Sequence, residues 1–199
     1  MLAPMELRGR HVALRPLTTR DAEMTLRWRL DDRASLLNRG AATVEEQRAW
    51  IAARPESEHN FIIELLDGRP VGMLSLIAID LVHRRAEPAR FLIGEPQLVR
   101  GVPAAVEAML LLYRLAFDDL GLHRVYGTVA EENAGMVKWQ TFLGMTEEGR
   151  LREHYRLDGR VQDAICLGML EHEYRTVALP RMTALVGAAS VDREPAAEQ

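Results

Sequence analysis

The chain has 199 residues and a formal net charge of −4, from 25 Lys and Arg residues against 29 Asp and Glu residues. This length suits a single domain with its own core, and the slightly acidic balance argues against a general nucleic-acid-binding protein. A lone cysteine, no apolar run long enough to cross a bilayer and no signal-peptide pattern at the N-terminus predict a cytoplasmic protein with no disulfide and no membrane partner.

The first half of the chain predicts three strands and two helices, each from its own local pattern. Thr43 and Glu46 have the spacing of a capping box and therefore open a helix. Asp67-Gly68 between two apolar runs is a strong hairpin signal. The second run, Val71–Ile79, is apolar on both faces and is expected to be a covered, central strand. The predicted elements are a strand at His11–Leu17, a helix after Thr18 or Thr19, a helix at Val44–Ala53, and strands at Phe61–Leu66 and Val71–Ile79.

The second half contains the longest helical signal of the chain, Pro103–Leu120. Proline is favourable at a helix start, and Gly121 ends the segment. Glu107, Arg114 and Asp118 form one narrow polar stripe on this otherwise apolar helix. The other predicted elements are strands at Arg90–Glu95 and His123–Val129, a helix from Asn133 to Leu143, and a hairpin of Met145–Arg156 and Arg160–Leu170 around Asp158-Gly159.

The order of these elements predicts an α/β (α+β) fold with a single mixed, mainly antiparallel sheet flanked by helices. One strand–helix–strand crossover, Arg90–Val129, lies in the middle, and the loop into its helix is where a phosphate-bearing ligand would bind. The domain is expected to span residues 1–178. Residues 179–199 are expected to form a C-terminal tail, partly disordered, because the chain becomes small and polar from about Gly187 onward.

Three stretches of the second half share the order and spacing of motifs in a known family. They are FLIGE (91–95) with RGVPAAVEA (100–108), the segment from Asn133 to LGM (143–145), and the hairpin 148–174. Together with Trp-Arg at 28–29, they resemble the GCN5-related N-acetyltransferases. The resemblance is to the subgroup of ribosomal-protein N-terminal and amino-sugar acetyltransferases, and it runs from about Leu7 to Tyr174.

The resemblance implies acetyl-CoA, or another acyl-CoA, as the co-substrate, with its pyrophosphate at the start of the helix after Pro103. Backbone N–H groups and the helix dipole favour an anion there, and Arg100 would add a forked contact. Pro103 stands where the family usually has a glycine, so one N–H donor is missing. The residues expected to bind the cofactor are Ile93, Gly94, Val99, Arg100, Gly101, Val102, Pro103, Ala104, Ala105, Asn133 and Lys138.

The implied chemistry is the attack of a neutral amine on a thioester, which needs a general base and a donor for the oxyanion. Many relatives have a tyrosine at the position of Gln140, and glutamine cannot replace it as an acid for the departing thiolate. The expected catalytic residues are Glu95, Glu132 and Tyr155, and the expected acceptor-binding residues are Trp28, Arg29 and His154. The His and Cys residues lack metal-ligand spacing, so no metal is expected.

The predicted function is an N-acyltransferase that acts on the amine of a small molecule, such as an amino sugar or a biosynthetic intermediate. Three alternatives stay open. Pro103 favours a thioester donor on an acyl carrier protein, and a protein α-amine is an alternative acceptor. Together with Gln140, Pro103 also favours a binding domain that has lost catalysis. A second copy of the chain, forming a homodimer, also stays open as a partner.

Overall fold

The computed structural model describes residues 6–37, 40–55, 57–157 and 159–191 of the chain. In these residues the strands are β1 (Leu7–Arg8), β2 (Val12–Pro16), β3 (His59–Leu65), β4 (Pro70–Asp80), β5 (Arg85–Ile93), β6 (Arg124–Ala130), β7 (Thr146–Leu157) and β8 (Arg160–Leu170). They form one sheet in the order β1-β2-β3-β4-β5-β6-β8-β7. The neighbours are antiparallel except for β5 and β6, which are parallel. The predicted fold class, a single mixed and mainly antiparallel sheet, is confirmed.

Helices flank this sheet. They are α1 (Ala22–Leu30), α2 (Val44–Ala52), α3 (Ala104–Arg114), α4 (Ala134–Leu143), α5 (Glu171–Glu173) and α6 (Leu179–Val191). The Thr43–Glu46 capping box opens α2 as predicted, and Gly144, with a φ of 118°, ends α4 in the left-handed conformation. α3 continues into a π-helical turn at Leu115–Asp119, so the long predicted helix is present with a widened end.

β5 is the strand whose predicted start differs most from the structure. It begins at Arg85 rather than at Arg90. Its first five residues, RAEPA, contain two charged residues and a proline, so they lack the apolar alternation that predicts a strand. The predicted turn residue Asp158 lies outside the described residues, whereas Gly159 has a φ of 79°, which a tight turn between β7 and β8 favours.

The predicted tail also differs from the structure, because the chain from Leu179 to Val191 is helix α6. Met182 and Val186 belong to the main hydrophobic core and are 0% and 3% exposed. Their four-residue spacing puts both on the face that packs against α3. The domain therefore includes residues beyond the predicted limit at 178, while residues 192–199 lie outside the described part.

Glu107 on α3 has a different role from the polar stripe expected there. It is 2% exposed, and its carboxylate accepts hydrogen bonds from the backbone N–H groups of Arg10 (2.7 Å), His11 (2.7 Å) and Val12 (2.8 Å). A side chain at Gly9 would collide with this carboxylate. Glu107 therefore fixes the turn between β1 and β2 against α3, which is a long-range contact that helical periodicity does not predict.

The parallel strands β5 and β6 separate along their length, and this separation creates the candidate site. In the described residues their pairing joins Arg85 to Arg124 and Ala86 to Val125, and it extends no further. Further along β5, Arg90 has a positive φ of 55°, and the register with β4 shifts near Ser75. Such an irregularity bends a strand and alters its twist. A gap therefore opens between the carboxyl ends of the two parallel strands.

Candidate functional site

The gap between β5 and β6 forms a cleft with a volume of about 400 Å³. The two strands form two of its walls, and residues of α1, α2, α4, β4 and β7, with Asn133 and the chain that joins α1 to α2, complete the lining. Its polar lining includes Arg29, Glu87, Arg90, Thr128, Asn133 and Tyr155. Clefts of this size at the carboxyl ends of parallel strands commonly hold small ligands.

Tyr155 and Asn133, two residues predicted for the site, both line the cleft. The Tyr155 hydroxyl lies 2.6 Å from the Thr128 hydroxyl and donates to the Thr128 carbonyl oxygen at 3.2 Å. The Asn133 side chain accepts a hydrogen bond from the Met136 backbone N–H at 3.3 Å, so this asparagine caps α4. Contacts across three elements thus hold both side chains at the cleft.

Glu87 on β5 is an acid of the cleft that no sequence pattern indicated. Its side chain lies beside Gly127 of β6, where an added Cβ would be 3.7 Å from Glu87 Oε1. Burial raises the pKa of Glu87, although the positive charge of Arg90 opposes this shift. All residues from Glu87 to Phe91 line the cleft, and their place on a strand can be recognised only once Arg85 is known to begin it.

Arg90 is a cation of the cleft whose position is fixed by its neighbours. It donates hydrogen bonds to Glu58 Oε2 and to Asn60 Oδ1, both at 2.9 Å. Its guanidinium also lies over the ring of Trp50, 5.1 Å from the ring centroid. Glu58 lies outside the cleft lining, and its negative charge compensates the positive charge of Arg90. The ion pair therefore stabilises the part of the cleft wall that Arg90 forms.

Arg29, predicted to bind the acceptor, lies near the end of α1 and lines the cleft. It is half-buried, and burial lowers its pKa, with a smaller contribution in the same direction from the like charge of Arg90. Guanidinium groups remain protonated at physiological pH even when their pKa falls. The cleft therefore contains a second cation, which is partly removed from water.

Gln140 lines the cleft. The family resemblance implies that many relatives have a tyrosine at this position. Gln140 is 8% exposed, and its Oε1 accepts a hydrogen bond from the Tyr113 hydroxyl at 3.1 Å. Burial raises the pKa of Tyr113, so the buried phenol stays neutral and can donate this bond. Gln140 is thus anchored to the core and supplies no acidic proton to the cleft.

The predicted phosphate loop lies between β5 and α3. Gly101 has a φ of 71° there, and Pro103 is the residue before the first helical residue, Ala104. The Val102 N–H donates to the Val99 carbonyl oxygen at 3.0 Å, so this amide is used within the loop. The first backbone N–H groups of a helix have no intrahelical acceptor, which leaves those of Ala104 and Ala105 directed out of the helix. Arg100, in the same loop, is exposed.

Three other predicted residues form a cluster at the end of β5, outside the cleft lining. Trp28 is 2% exposed and donates from Nε1 to Glu95 Oε1 at 2.8 Å. The hydrogen bond from Trp28, with others from Gln97 and Arg27, holds the pKa of Glu95 below its ordinary value, although burial opposes this. A side chain at Gly94 would collide with the Trp28 ring, and the Gly94 N–H donates to the Val71 carbonyl oxygen. This cluster therefore stabilises the end of β5.

The remaining predicted residues also lie outside the cleft lining. Glu132 accepts two hydrogen bonds of 3.0 Å from the exposed guanidinium of Arg160. His154 is exposed on β7, with its ring 4.8 Å from that of Tyr155, and Lys138 is exposed on α4. Ile93, at the end of β5, pairs with Gly72 of β4. None of these four residues lines the described cleft.

No helix in the described residues combines the length and apolar character needed to cross a bilayer. No group of three or more His, Cys, Asp or Glu side chains among them is arranged to hold a metal ion.

The chain matches a family model described as an acetyltransferase (GNAT) domain over residues 11–146. It is 32% identical over 119 residues to a spermidine N(1)-acetyltransferase of Escherichia coli (strain K12). That alignment covers 60% of this chain and 62% of the relative, so the matched part spans less than two thirds of the relative's length.

Solved structures resemble the chain over nearly its whole length. A protein from T. thermophilus, described as a candidate acetyltransferase, is 31% identical, with a TM-score of 0.78 over 94% of this chain and 100% of that one. A GCN5-related N-acetyltransferase from Brucella melitensis also has a TM-score of 0.78, over 98% of this chain and 90% of that one. At 23% identity, the second likeness concerns the fold alone.

Proposed function

The chain belongs to the acetyltransferase (GNAT) family, and we propose that it transfers the acetyl group of acetyl-CoA to the amine of a small molecule. The observation that carries this proposal is the cleft between β5 and β6, with the half-buried Glu87 on its wall. The name of the Escherichia coli relative supports an amine as the acceptor class. An amino sugar, expected from the sequence, stays a prediction.

In the proposed reaction, Glu87 is the general base. Burial raises its pKa and so makes its carboxylate a better proton acceptor than that of an ordinary glutamate. It accepts a proton from the acceptor's ammonium group, and the neutral amine then attacks the thioester carbon. The new C–N bond forms, the nitrogen of the tetrahedral intermediate releases its second proton to solvent, the C–S bond breaks, and the sulfur leaves as the thiolate of coenzyme A.

Tyr155 is the proposed proton donor to that thiolate, because its hydroxyl lies at the cleft and Gln140 supplies no acidic proton. The hydrogen bonds to Thr128 hold the phenol in one orientation. A thiol has an ordinary pKa of about 8.5, so the thiolate is already a fair leaving group and needs only modest assistance.

The start of α3 is the proposed site for the pyrophosphate of the donor. The backbone N–H groups of Ala104 and Ala105, together with the dipole of α3, favour an anion there. Arg100 is exposed beside them and would pair with phosphate. Pro103 has no backbone N–H, and the Val102 N–H already donates to the Val99 carbonyl oxygen. Neither residue can therefore donate a backbone hydrogen bond to the phosphate.

The proposal is tested by incubating the full chain with acetyl-CoA and a panel of amines, while thiol release and the acetylated product are measured. The panel contains spermidine, neutral amines, amino sugars and amino acids. Amine-dependent thiol release together with an N-acetylated product supports the proposal. Release only from an acetylated carrier protein, acetylation only of a peptide α-amine, or no transfer despite acetyl-CoA binding would overturn it in favour of the corresponding alternative.

A further inference from the structure

Gln140 is a buried residue of the cleft lining, and the protein uses only one end of its amide. Its Oε1 accepts a hydrogen bond from the Tyr113 hydroxyl at 3.1 Å, whereas its Nε2 forms no hydrogen bond with the described residues. Among those residues, the fully enclosed side-chain atoms that lack a hydrogen-bond partner belong to Gln162 alone. The Nε2 atom of Gln140 is therefore not enclosed, and a ligand in the cleft can reach it.

Tyr113 determines which end of this amide is free. The phenol is 0% exposed, and Gln140 is its one hydrogen-bond partner in the described part of the chain. Burial raises the pKa of Tyr113, so the phenol keeps its proton and needs an acceptor for it. A reversed amide would leave the phenolic hydrogen unpaired in the core, which is costly. The contact with Tyr113 therefore keeps the amide oxygen toward the core and leaves the N–H donors of Nε2 for the cleft.

α4 places this donor at the inner end of its side of the cleft. Asn133, Met136 and Gln140 line the cleft, and their three- and four-residue spacing puts them on one face of the helix. Asn133 and Met136 are partly exposed, whereas Gln140 is 8% exposed. Hydrogen bonds are stronger where water is largely excluded than at an open surface. The amide of Gln140 is thus a fixed donor in the less hydrated part of the cleft.

The chemistry of the donor indicates which reacting group it suits. An ammonium group that enters the cleft carries N–H bonds that need an acceptor, and Glu87 offers one from β5. A further N–H donor has no favourable contact with that ammonium. Negative charge develops instead on the thioester oxygen when the amine attacks, and fixed N–H donors stabilise such an oxyanion. The neutral amide of Gln140 meets this requirement, because Tyr113 already holds it in place.

We propose that Gln140 Nε2 donates a hydrogen bond to the carbonyl oxygen of the bound thioester and stabilises the oxyanion that forms there, with Tyr113 as the positioning residue of this amide. This inference rests on the proposed function and adds a catalytic residue to it. The electron pair of the C=O bond moves to the oxygen as the C–N bond forms, and it returns as the C–S bond breaks. Nε2 keeps its protons throughout, so glutamine needs no acidity for this role.

The first arm of the test compares kcat and KM for wild type, Gln140→Met and Tyr113→Phe at one pH. Gln140→Met removes the donor and should lower kcat by about 100- to 1000-fold, with a smaller change in KM. Tyr113→Phe keeps the donor but removes the contact that orients it, so a decrease of about 10-fold is expected. Wild-type kcat in Gln140→Met would overturn the inference.

Two variants serve as matched controls for this arm. Tyr174→Phe removes another fully buried phenol, whose ring centroid lies 6.4 Å from that of Tyr113 and which lies outside the cleft lining. Thr141→Val changes the exposed neighbour of Gln140 on α4. Both controls should keep the kcat of wild type. A loss in Tyr174→Phe equal to that in Tyr113→Phe would overturn the positioning role of Tyr113.

The double variant Tyr113→Phe/Gln140→Met separates positioning from a purely structural role. Gln140→Met alone leaves a buried phenol without an acceptor and should lower the melting temperature, whereas removing both partners replaces the hydrogen bond with an apolar contact. The double variant should therefore recover stability but keep the low kcat of Gln140→Met, with no further decrease. Recovery of kcat together with stability, or a further loss of the size seen in Tyr113→Phe alone, would contradict the inference.

A spectroscopic measurement tests the same hydrogen bond without requiring transfer. Acetyl-CoA with an isotopic label at the thioester carbon is bound to wild type and to the double variant without an amine, and the carbonyl stretching frequency is measured by infrared difference spectroscopy. A hydrogen bond to the oxygen lowers this frequency, so wild type should give the lower value. Equal frequencies would overturn the inference even if transfer occurs. A lower frequency in wild type without transfer to any amine would keep the hydrogen bond and reject the transferase, and no binding of acetyl-CoA would reject both.

Discussion

Glu87 and Glu95 are both acids of the β5 region, but their surroundings shift their pKa values in opposite directions. Burial raises the pKa of Glu87, whereas hydrogen bonds from Trp28 and its neighbours lower that of Glu95. Burial, as at Glu87, makes a carboxylate a better general base. Hydrogen bonds, as at Glu95, stabilise a carboxylate as a structural acceptor. Sequence alone offers no reason to prefer Glu87, because the difference comes from contacts with residues far away in the chain.

Glu87→Gln is predicted to change stability in a pH-dependent way. A raised folded-state pKa means that the stabilisation linked to Glu87 is present below its unfolded pKa and lost as pH rises through the folded value. The free energy of unfolding of Glu87→Gln should therefore improve relative to wild type between pH 4 and pH 8, as measured by urea unfolding. Glu132→Gln, at an exposed ion pair, serves as the control. An equal difference at both pH values would contradict a raised pKa.

The candidate site was predictable at the positions that belong to a local motif. Asn133 caps α4 and could be singled out from its spacing, whereas Tyr155 is indicated by the family resemblance of the closing hairpin. Glu132, beside Asn133 in sequence, instead pairs with Arg160 at the surface. Whether a side chain faces the cleft depends on how far the strands separate and on which elements pack beside them. The residue next to it in the sequence gives no information about either.

At the scale of elements, caps and alternation predicted most helices and strands, and long-range packing decided the rest. α2 follows directly from its Thr43–Glu46 capping box. The start of β5 escaped prediction because its charged residues and proline interrupt the apolar alternation, and α6 escaped because its small residues resemble a tail. In both cases the element is stabilised by neighbours, which a local pattern does not contain.

Glu107→Gln should destabilise the junction between α3 and the β1–β2 turn. A glutamine amide would place its NH₂ group against backbone N–H donors that the carboxylate now satisfies. Leaving buried donors without acceptors costs about 1–3 kcal/mol. We expect a loss of this size in denaturant unfolding, against little change for the exposed Glu147→Gln. Equal stability of the two variants would show that the buried carboxylate is not needed.

Met182→Ala tests whether α6 belongs to the domain. Met182 is fully buried in the main core, so truncation should remove about 2–5 kcal/mol from the free energy of unfolding. The adjacent exposed residue gives a matched control, Thr183→Ala, which should change stability by less than about 0.5 kcal/mol. If both variants have wild-type stability, the chain after 178 is a tail, as the sequence first suggested.

One sheet serves both the fold and the site. The strands from β1 to β5 and from β6 to β7 form two continuous halves that meet at a short parallel contact. Beyond that contact they diverge, and the crossover helix α3 follows β5 after the loop of residues 94–103. The proposed donor and acceptor can therefore meet in a cleft at the centre of the sheet, with both sides held by the core.

Acetyl-CoA should stabilise the folded chain if its donor site is as proposed. A ligand that binds only the folded state adds about 2.7 kcal/mol at one hundred times its dissociation constant. We expect the melting temperature to rise with acetyl-CoA concentration, and less so with an acetylated thiol that lacks the nucleotide. The absence of a shift at millimolar acetyl-CoA would contradict binding at the start of α3.

In the proposed reaction, Glu87 in the cleft between β5 and β6 takes the proton of the attacking amine. The most direct test is kcat/KM for amine-dependent acetyl transfer from acetyl-CoA by wild type, Glu87→Gln and Glu132→Gln at the same pH. Loss of a general base predicts a decrease of about 100-fold or more in Glu87→Gln and near wild-type transfer in Glu132→Gln. Equal transfer by the two variants would contradict the assignment of Glu87 and place the base elsewhere.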